Sequence, residues 1–155
     1  MQYFPKTLSE KESDALAQRL STKIKESGWG LWAVELRDTE RFIGFVGLSS
    51  PSFKASVTPC IEIGWRLAQN AWGQGFATEA ARECLRFGFL KLGLEEIVSF
   101  TTKNNQRSRL AMERLGMKHE PLEDFLHPTV SDESPLKLHV LYRLSVAEWI
   151  GSVNV

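Results

Sequence analysis

Two short stretches of this sequence join residue types that could bind or act on a ligand. The first is the glycine turn Trp72-Gly73-Gln74-Gly75-Phe76-Ala77-Thr78, set between a strand-like run and a long helix. Glycine lets the backbone adopt positive φ and approach a ligand closely, and the first N–H groups of the following helix have no partner within it. The turn is therefore either a ligand-free connection or, with the helix dipole behind those free donors, a place for a phosphate. Two other phosphate loops are excluded, because no GxxxxGK[ST] occurs and Thr78 stands where a dinucleotide fingerprint needs its third glycine. The second stretch is Lys103-Asn104-Asn105-Gln106-Arg107-Ser108, another strand-to-helix junction. Alone, Asn105 reads as an N-cap worth about 1 kcal/mol and Ser108 as a first-turn residue. If the two preceding strands run parallel, both junctions lie at one end of the sheet and their polar groups can face one ligand.

The elements that would position these junctions follow from periodicity. Residues 9–27 read as an amphipathic helix, with a Ser9/Glu12 capping box, Leu16, Leu20 and Ile24 on one face, and Gly28 as its stop. Residues 31–37 and 42–48 read as antiparallel strands, followed by a Ser- and Pro-containing loop and a third strand, 60–67. In that strand Cys60, Glu62, Gly64 and Arg66 alternate with Ile61, Ile63, Trp65 and Leu67. A helix over 76–92, a strand over 97–102, a helix over 106–115, a strand over 117–125, a last strand over 139–144 and a capped turn over 145–150 complete the chain. The expectation is one α/β domain over 1–155, in which an antiparallel meander passes into strand, helix, strand, helix, strand.

Composition removes other classes. Nineteen Lys and Arg balance nineteen Asp and Glu, so no global field draws in nucleic acid or an anionic membrane, and an anionic ligand must be met locally. The longest apolar runs fall far short of the roughly 18 residues of a membrane helix, and no signal-peptide run opens the chain, which reads as cytoplasmic. Cys60 and Cys84 form no CxxC, and His119, His127 and His139 lack ligand spacing, so neither a disulfide nor a metal site is expected.

Taken together, the runs CIEIGWRLAQNAWGQGFATEA, IVSFTTKNNQRSRLAMERLGM and HVLYRL resemble the GNAT superfamily of acyl-CoA-dependent N-acetyltransferases, in the branch typified by the RimJ/RimL ribosomal-protein alanine N-acetyltransferases. The resemblance covers nearly the whole chain. It implies a mixed, mostly antiparallel sheet flanked by helices, with a central strand splay that receives acetyl-CoA. The family's Q/R-x-x-G-x-G/A turn falls on Trp72 to Ala77, with Trp72 replacing the usual Gln or Arg. By position, the amides of Gly73, Gln74, Gly75, Phe76 and Ala77 and the Thr78 hydroxyl would hold phosphate. Trp65, Arg66 and Leu67 would pair with the pantetheine as an extra strand, and Asn105 would hydrogen-bond it.

Acetyl transfer to an amine needs a base and a group to meet the departing sulfur. Glu62 is the candidate base, directly or through water, against the alternative of a solvated or ion-paired strand carboxylate. Many relatives use a tyrosine in the second helix to protonate the sulfur; Met112 stands there, and the branch's serine matches Ser108 instead. The developing oxyanion would meet a backbone N–H near Trp65 to Leu67. Arg107 and Arg109 would reach the nucleotide 3′-phosphate or else form a solvated helix face, and Trp29, Trp32 and Phe53 would line the acceptor side or the core. Relatives carry a strand and a helix ahead of the point matching Tyr3, so the strand at 31–37 is expected to be an edge that a second copy covers as a homodimer. The competing function is a non-catalytic acyl-CoA-binding or regulatory module; an unrelated nucleotide-binding domain is weakened by the absent motifs.

Overall fold

A computed structural model describes residues 3, 4 and 6–154. Helix α1 spans Glu10–Ser27. The Ser9 hydroxyl accepts from the Glu12 N–H at 3.2 Å, and the Glu12 carboxylate accepts from the Ser9 N–H at 2.8 Å, which closes the expected capping box. Gly28 ends the helix at φ 78°, its N–H donating to the Ile24 carbonyl at 2.7 Å. No residue of α1 is fully buried: its apolar face borders a groove of about 820 Å³ against the sheet.

Seven strands form one sheet: β1 (Leu31–Glu35), β2 (Phe42–Ser49), β3 (Glu62–Leu67), β4 (Glu96–Thr102), β5 (Lys118–His119), β6 (Phe125–Leu126) and β7 (Leu138–Ser145). The order is β1-β2-β3-β4-β7-β5, with β6 also on β7, and among the described residues β1 is an edge, as expected. Every pairing is antiparallel except β3 with β4. That parallel pair keeps a single register point, Glu62 opposite Val98, with the Val98 N–H donating to the Ile61 carbonyl at 2.9 Å. Beyond it the strands diverge, and the buried Ser99 hydroxyl donates to the Ile63 carbonyl at 2.8 Å. This divergence is the splay.

Helices α2 (Phe76–Leu90) and α3 (Gln106–Arg114) lie on one face of the sheet. Ile63, Leu85, Ile97, Met112 and Tyr142 are buried between them, and Ile61, Trp65 and Leu67 pack on the same cluster, so the alternation read in β3 is the one observed. The other face carries a smaller cluster of Val57, Val98, Phe125 and Leu141, flanked by Phe53, Cys60 and Phe100. Burial removes apolar surface from water at roughly 25 cal/mol per Å², and the larger cluster under the helices fixes where the junctions sit.

Three expectations change. The run 117–125 is not one strand: Pro121 has no N–H to give a ladder, and a 3₁₀ turn at Pro121–Glu123 splits it into β5 and β6. The third strand begins at Glu62 rather than Cys60. The capped turn after β7 is a helix, α4 (Val146–Val153), with a Ser145/Glu148 capping box. No helix of the described residues is long and apolar enough to cross a membrane.

Candidate functional site

The parallel pair β3/β4 brings the N-termini of α2 and α3 to the same end of the sheet. Gly73 and Gly75 take φ 73° and 83°, conformations that a side chain rarely adopts, and Gly75 caps α2 with no side-chain bond, so the first-turn amides stay open. At the second junction Asn105 is the N-cap its type suggests: its Oδ1 accepts from the Ser108 N–H at 3.2 Å. Its Nδ2 donates to Thr101 Oγ1 at 2.9 Å and to Ser108 Oγ at 3.1 Å, so both amide hydrogens are spent within the protein. Ser108 Oγ is thereby an acceptor, and its single proton is directed to no protein group among the described residues.

A cleft of about 160 Å³ opens between the junctions, lined by Trp65, Arg66, Leu67, Trp72, Gly73, Gly75, Phe76, Ala77, Thr78, Asn105 and Ser108 together with Arg107 and Arg114. Three arginines and no carboxylate line it among the described residues, in a chain whose net charge is zero. That is the local field an anion needs. The Trp72 indole N–H donates to the Leu67 carbonyl at 2.9 Å, which fixes the ring, and the Arg107 guanidinium sits over it, 4.1 Å from the ring centre. Arg66 lies 4.0 Å from the Phe4 ring; its Nε is buried without a partner, and burial lowers its pKa.

Glu62 is not in that cleft. It lies on the sheet face away from α2 and α3, at the single register point of β3 with β4 (opposite Val98) and across from Ser49 on β2. Burial pushes its pKa up to about 8, against a smaller downward pull from the Ser49 hydroxyl. Both cysteine thiols are pushed up to about 11, chiefly by burial, so thiolate is scarce at neutral pH and covalent chemistry through Cys60 or Cys84 is disfavoured.

Residues 1–118 match the acetyltransferase (GNAT) domain. The chain belongs to the GNAT acetyltransferase family. It is 33% identical over 130 residues to FsC-acetyl coenzyme A-N(2)-transacetylase of Aspergillus fumigatus, a match covering 79% of this chain and 53% of that protein. The chain thus spans about half the length of that curated relative. Its fold is similar to a GNAT-family acetyltransferase from Bacillus anthracis (TM-score 0.73, 21% identity, 94% of this chain and 80% of that one). It is also similar to Mycobacterium smegmatis RimJ in complex with CoA-disulfide (TM-score 0.70, 20% identity, 89% of this chain and 63% of that one). At these identities the likeness to the two structures is one of fold.

GNAT enzymes use acetyl-CoA as co-substrate, and the chemistry of this cleft fits that molecule: open amides and unpaired arginines for phosphates, apolar Trp65, Leu67 and Ala111 for a pantetheine arm. Of the residues the GNAT motif singled out, all but Gln74 and Glu62 line the cleft; the Gln74 side chain turns back to the Asn70 carbonyl at 3.0 Å. Alternatives left open for Arg109, Trp29 and Trp32 are decided here, the two tryptophans falling on the core alternative. Arg109 does not face the cleft, because Tyr142 Oη and the Lys103 carbonyl hold it at 3.1 and 3.2 Å. Trp32 and Trp29 belong to the α2 side, Trp32 lying 5.4 Å from Phe87 edge to face, whereas Phe53 alone of the three is on the Glu62 face. The sequence reading also missed Arg114 and the seating of Arg107 on Trp72, for which no local signal exists.

Proposed function

We propose that this chain is an acetyl-CoA-dependent N-acetyltransferase of the RimJ/RimL-like branch, acting on a primary amine of a protein N-terminus or a small molecule. The observation that carries the reading is the carboxylate-free, three-arginine cleft at the two helix N-termini, with Glu62 across the splay from it. Bound there, acetyl-CoA supplies an activated acetyl thioester.

The amides at Gly73 to Ala77 and the Thr78 hydroxyl hold phosphate, and Trp65 to Leu67 offer strand backbone to the arm. With both Asn105 N–H groups engaged, its free Oδ1 lone pair is the group left for a ligand donor. Glu62, as carboxylate, takes one proton from the arriving ammonium; nitrogen then bonds to the acetyl carbon as the carbon–sulfur bond breaks and its electron pair leaves with sulfur. The second amine proton ends on sulfur, toward which Ser108 directs its hydroxyl. A backbone N–H of Trp65 to Leu67 faces the charge that develops on oxygen.

The Glu62 pKa of about 8 favours one kind of amine. Proton transfer to it from an α-amine near 7.7 to 8.0 is almost thermoneutral, whereas from a lysine-type amine near 10.4 it costs about 3 kcal/mol.

Calorimetry with acetyl-CoA, ATP and NAD, followed by thiol release across N-terminal peptides, monoamines, polyamines and aminoglycosides, tests the reading. Acetyl-CoA binding with thiol release for one amine class is expected; absence of acetyl-CoA binding overturns it, and binding without release for any amine identifies a non-catalytic module. The β1 edge, unpaired among the described residues, supports pairing with a second copy; a monomer at every concentration in sedimentation overturns that.

A further inference from the structure

Arg66 is set apart from the other two arginines of the cleft. Arg107 and Arg114 come from α3, beside the open amides, whereas Arg66 comes from β3, in register with Phe45 of β2. Its guanidinium stacks on two rings, 4.0 Å from the centre of Phe4 and 5.5 Å from that of Phe45. These contacts use its charge and leave its donors free: among the described residues no hydrogen bond or ion pair holds the guanidinium, and Nε is buried without a partner. The other charged residue of β3, Glu62, stands four residues along the strand, roughly 13 Å away and out of reach for an ion pair. An arginine keeps its charge in a protein, so a stacked cation with free donors suits an oxyanion that a ligand carries in.

Arg66 also joins two cavities. It lines the cofactor cleft, and with Leu67 and Trp72 it lines the groove of about 820 Å³ beneath α1. Besides Arg66, one charged side chain borders that groove, Lys25, and no carboxylate does among the described residues. Leu16, Leu20 and Phe42 supply apolar wall. An acetyl group ends in a methyl, which has no acceptor for a guanidinium and no length to use a groove. In the acetyl-transfer reading the thioester carbonyl faces the backbone of Trp65 to Leu67, so a longer acyl chain starts beside Arg66.

We propose that this chain accepts, besides acetyl-CoA, the coenzyme A half-thioester of a short dicarboxylic acid, and that Arg66 selects it by pairing with the free carboxylate. This rests on the N-acetyltransferase reading of the cleft. The amine nitrogen bonds to the thioester carbon, the carbon–sulfur bond breaks and its electron pair leaves with sulfur; the distal carboxylate stays ionised on the acyl group and takes no part. Selection follows from charge, because an acyl carboxylate meets a cation with free donors and no anion on either cavity wall among the described residues.

Succinyl-CoA and butyryl-CoA differ in ending the acyl chain with a carboxylate or a methyl, so their affinity ratio isolates the pairing. Calorimetry on the wild-type chain should show succinyl-CoA bound about tenfold more tightly, a preference that shrinks with added salt. In Arg66→Met the ratio should fall to about one or below, and Arg66→Lys, with a charge but no planar fork, should keep part of it. Melting curves establish that the variants fold; where they do not, the wild-type ratio decides by itself. Equal or weaker binding of succinyl-CoA to the wild type, or the wild-type ratio surviving in folded Arg66→Met, overturns the selection. Thiol release across amines is followed in parallel. Release from acetyl-CoA without a binding preference for succinyl-CoA overturns the donor inference and spares the enzyme; the expected ratio with no release from any amine does the reverse.

Discussion

The Arg107 guanidinium lies 4.1 Å from the centre of the Trp72 ring, and the Trp72 N–H is anchored on the Leu67 carbonyl at 2.9 Å. One side chain comes from each helix junction, so the pair spans the mouth of the cleft. It puts a cation at the place where the turn motif has Trp72 instead of its usual Gln or Arg.

Replacing Arg107 by Ala should therefore weaken acetyl-CoA binding by about 1–2 kcal/mol, roughly five- to thirtyfold, and reduce its salt dependence. Trp72→Leu should do the same in part. Arg109→Ala is the contrast: it should leave affinity unchanged and lower stability, since Arg109 is bonded to Tyr142 and Lys103. Calorimetry at two salt concentrations separates these outcomes, and equal losses at Arg107 and Arg109 would sink the assignment.

Glu62 makes activity and stability move in opposite directions with pH. Its folded pKa of about 8 lies above the unfolded value near 4.5, so the native state keeps the proton longer. Stability should fall as pH rises from about 4.5 to about 8, because the native state then binds more protons than the unfolded chain. Over the same window kcat/KM should rise as the carboxylate forms. Glu62→Gln should flatten both profiles and lower kcat by about 10²–10⁴-fold; denaturant midpoints and rates at pH 5 and pH 8 check this.

Ser108→Ala removes the hydroxyl proton that no protein group takes up. Turnover should drop about tenfold with acetyl-CoA affinity nearly unchanged, and the loss should shrink for a thioester whose leaving thiol has a lower pKa. An equal loss with every leaving group points instead to a packing effect.

Asn105→Ala should cost about 1 kcal/mol of stability by removing the α3 cap, and more if the tie to Thr101 couples α3 to β4. Thermal melts of Asn105→Ala, Thr101→Val and the double variant read that coupling directly. Strict additivity would show that the two contacts are independent.

How much of this was readable in the sequence depends on the distance over which each cause acts. The Ser9/Glu12 box, the Gly28 stop and the Asn105 cap are local, and each appears as its residue types dictate. The face alternation of β3 was legible because Ile61, Ile63, Trp65 and Leu67 are all apolar. Trp32 was not, since the five-residue β1 does not reveal which of its faces meets α2. Arg107 and Arg109 have one composition and opposite fates, decided by Trp72 and Tyr142 far away in the chain.

The Ser99 hydroxyl on the Ile63 carbonyl acts as the stop on a zip. Because a side chain, not a ligand, satisfies the carbonyl freed where β3 and β4 part, the slot is held open by the protein's own covalent sequence. Association with a thin, extended molecule then requires no unzipping of the sheet, and its rate should depend on encounter and charge rather than on a prior opening event.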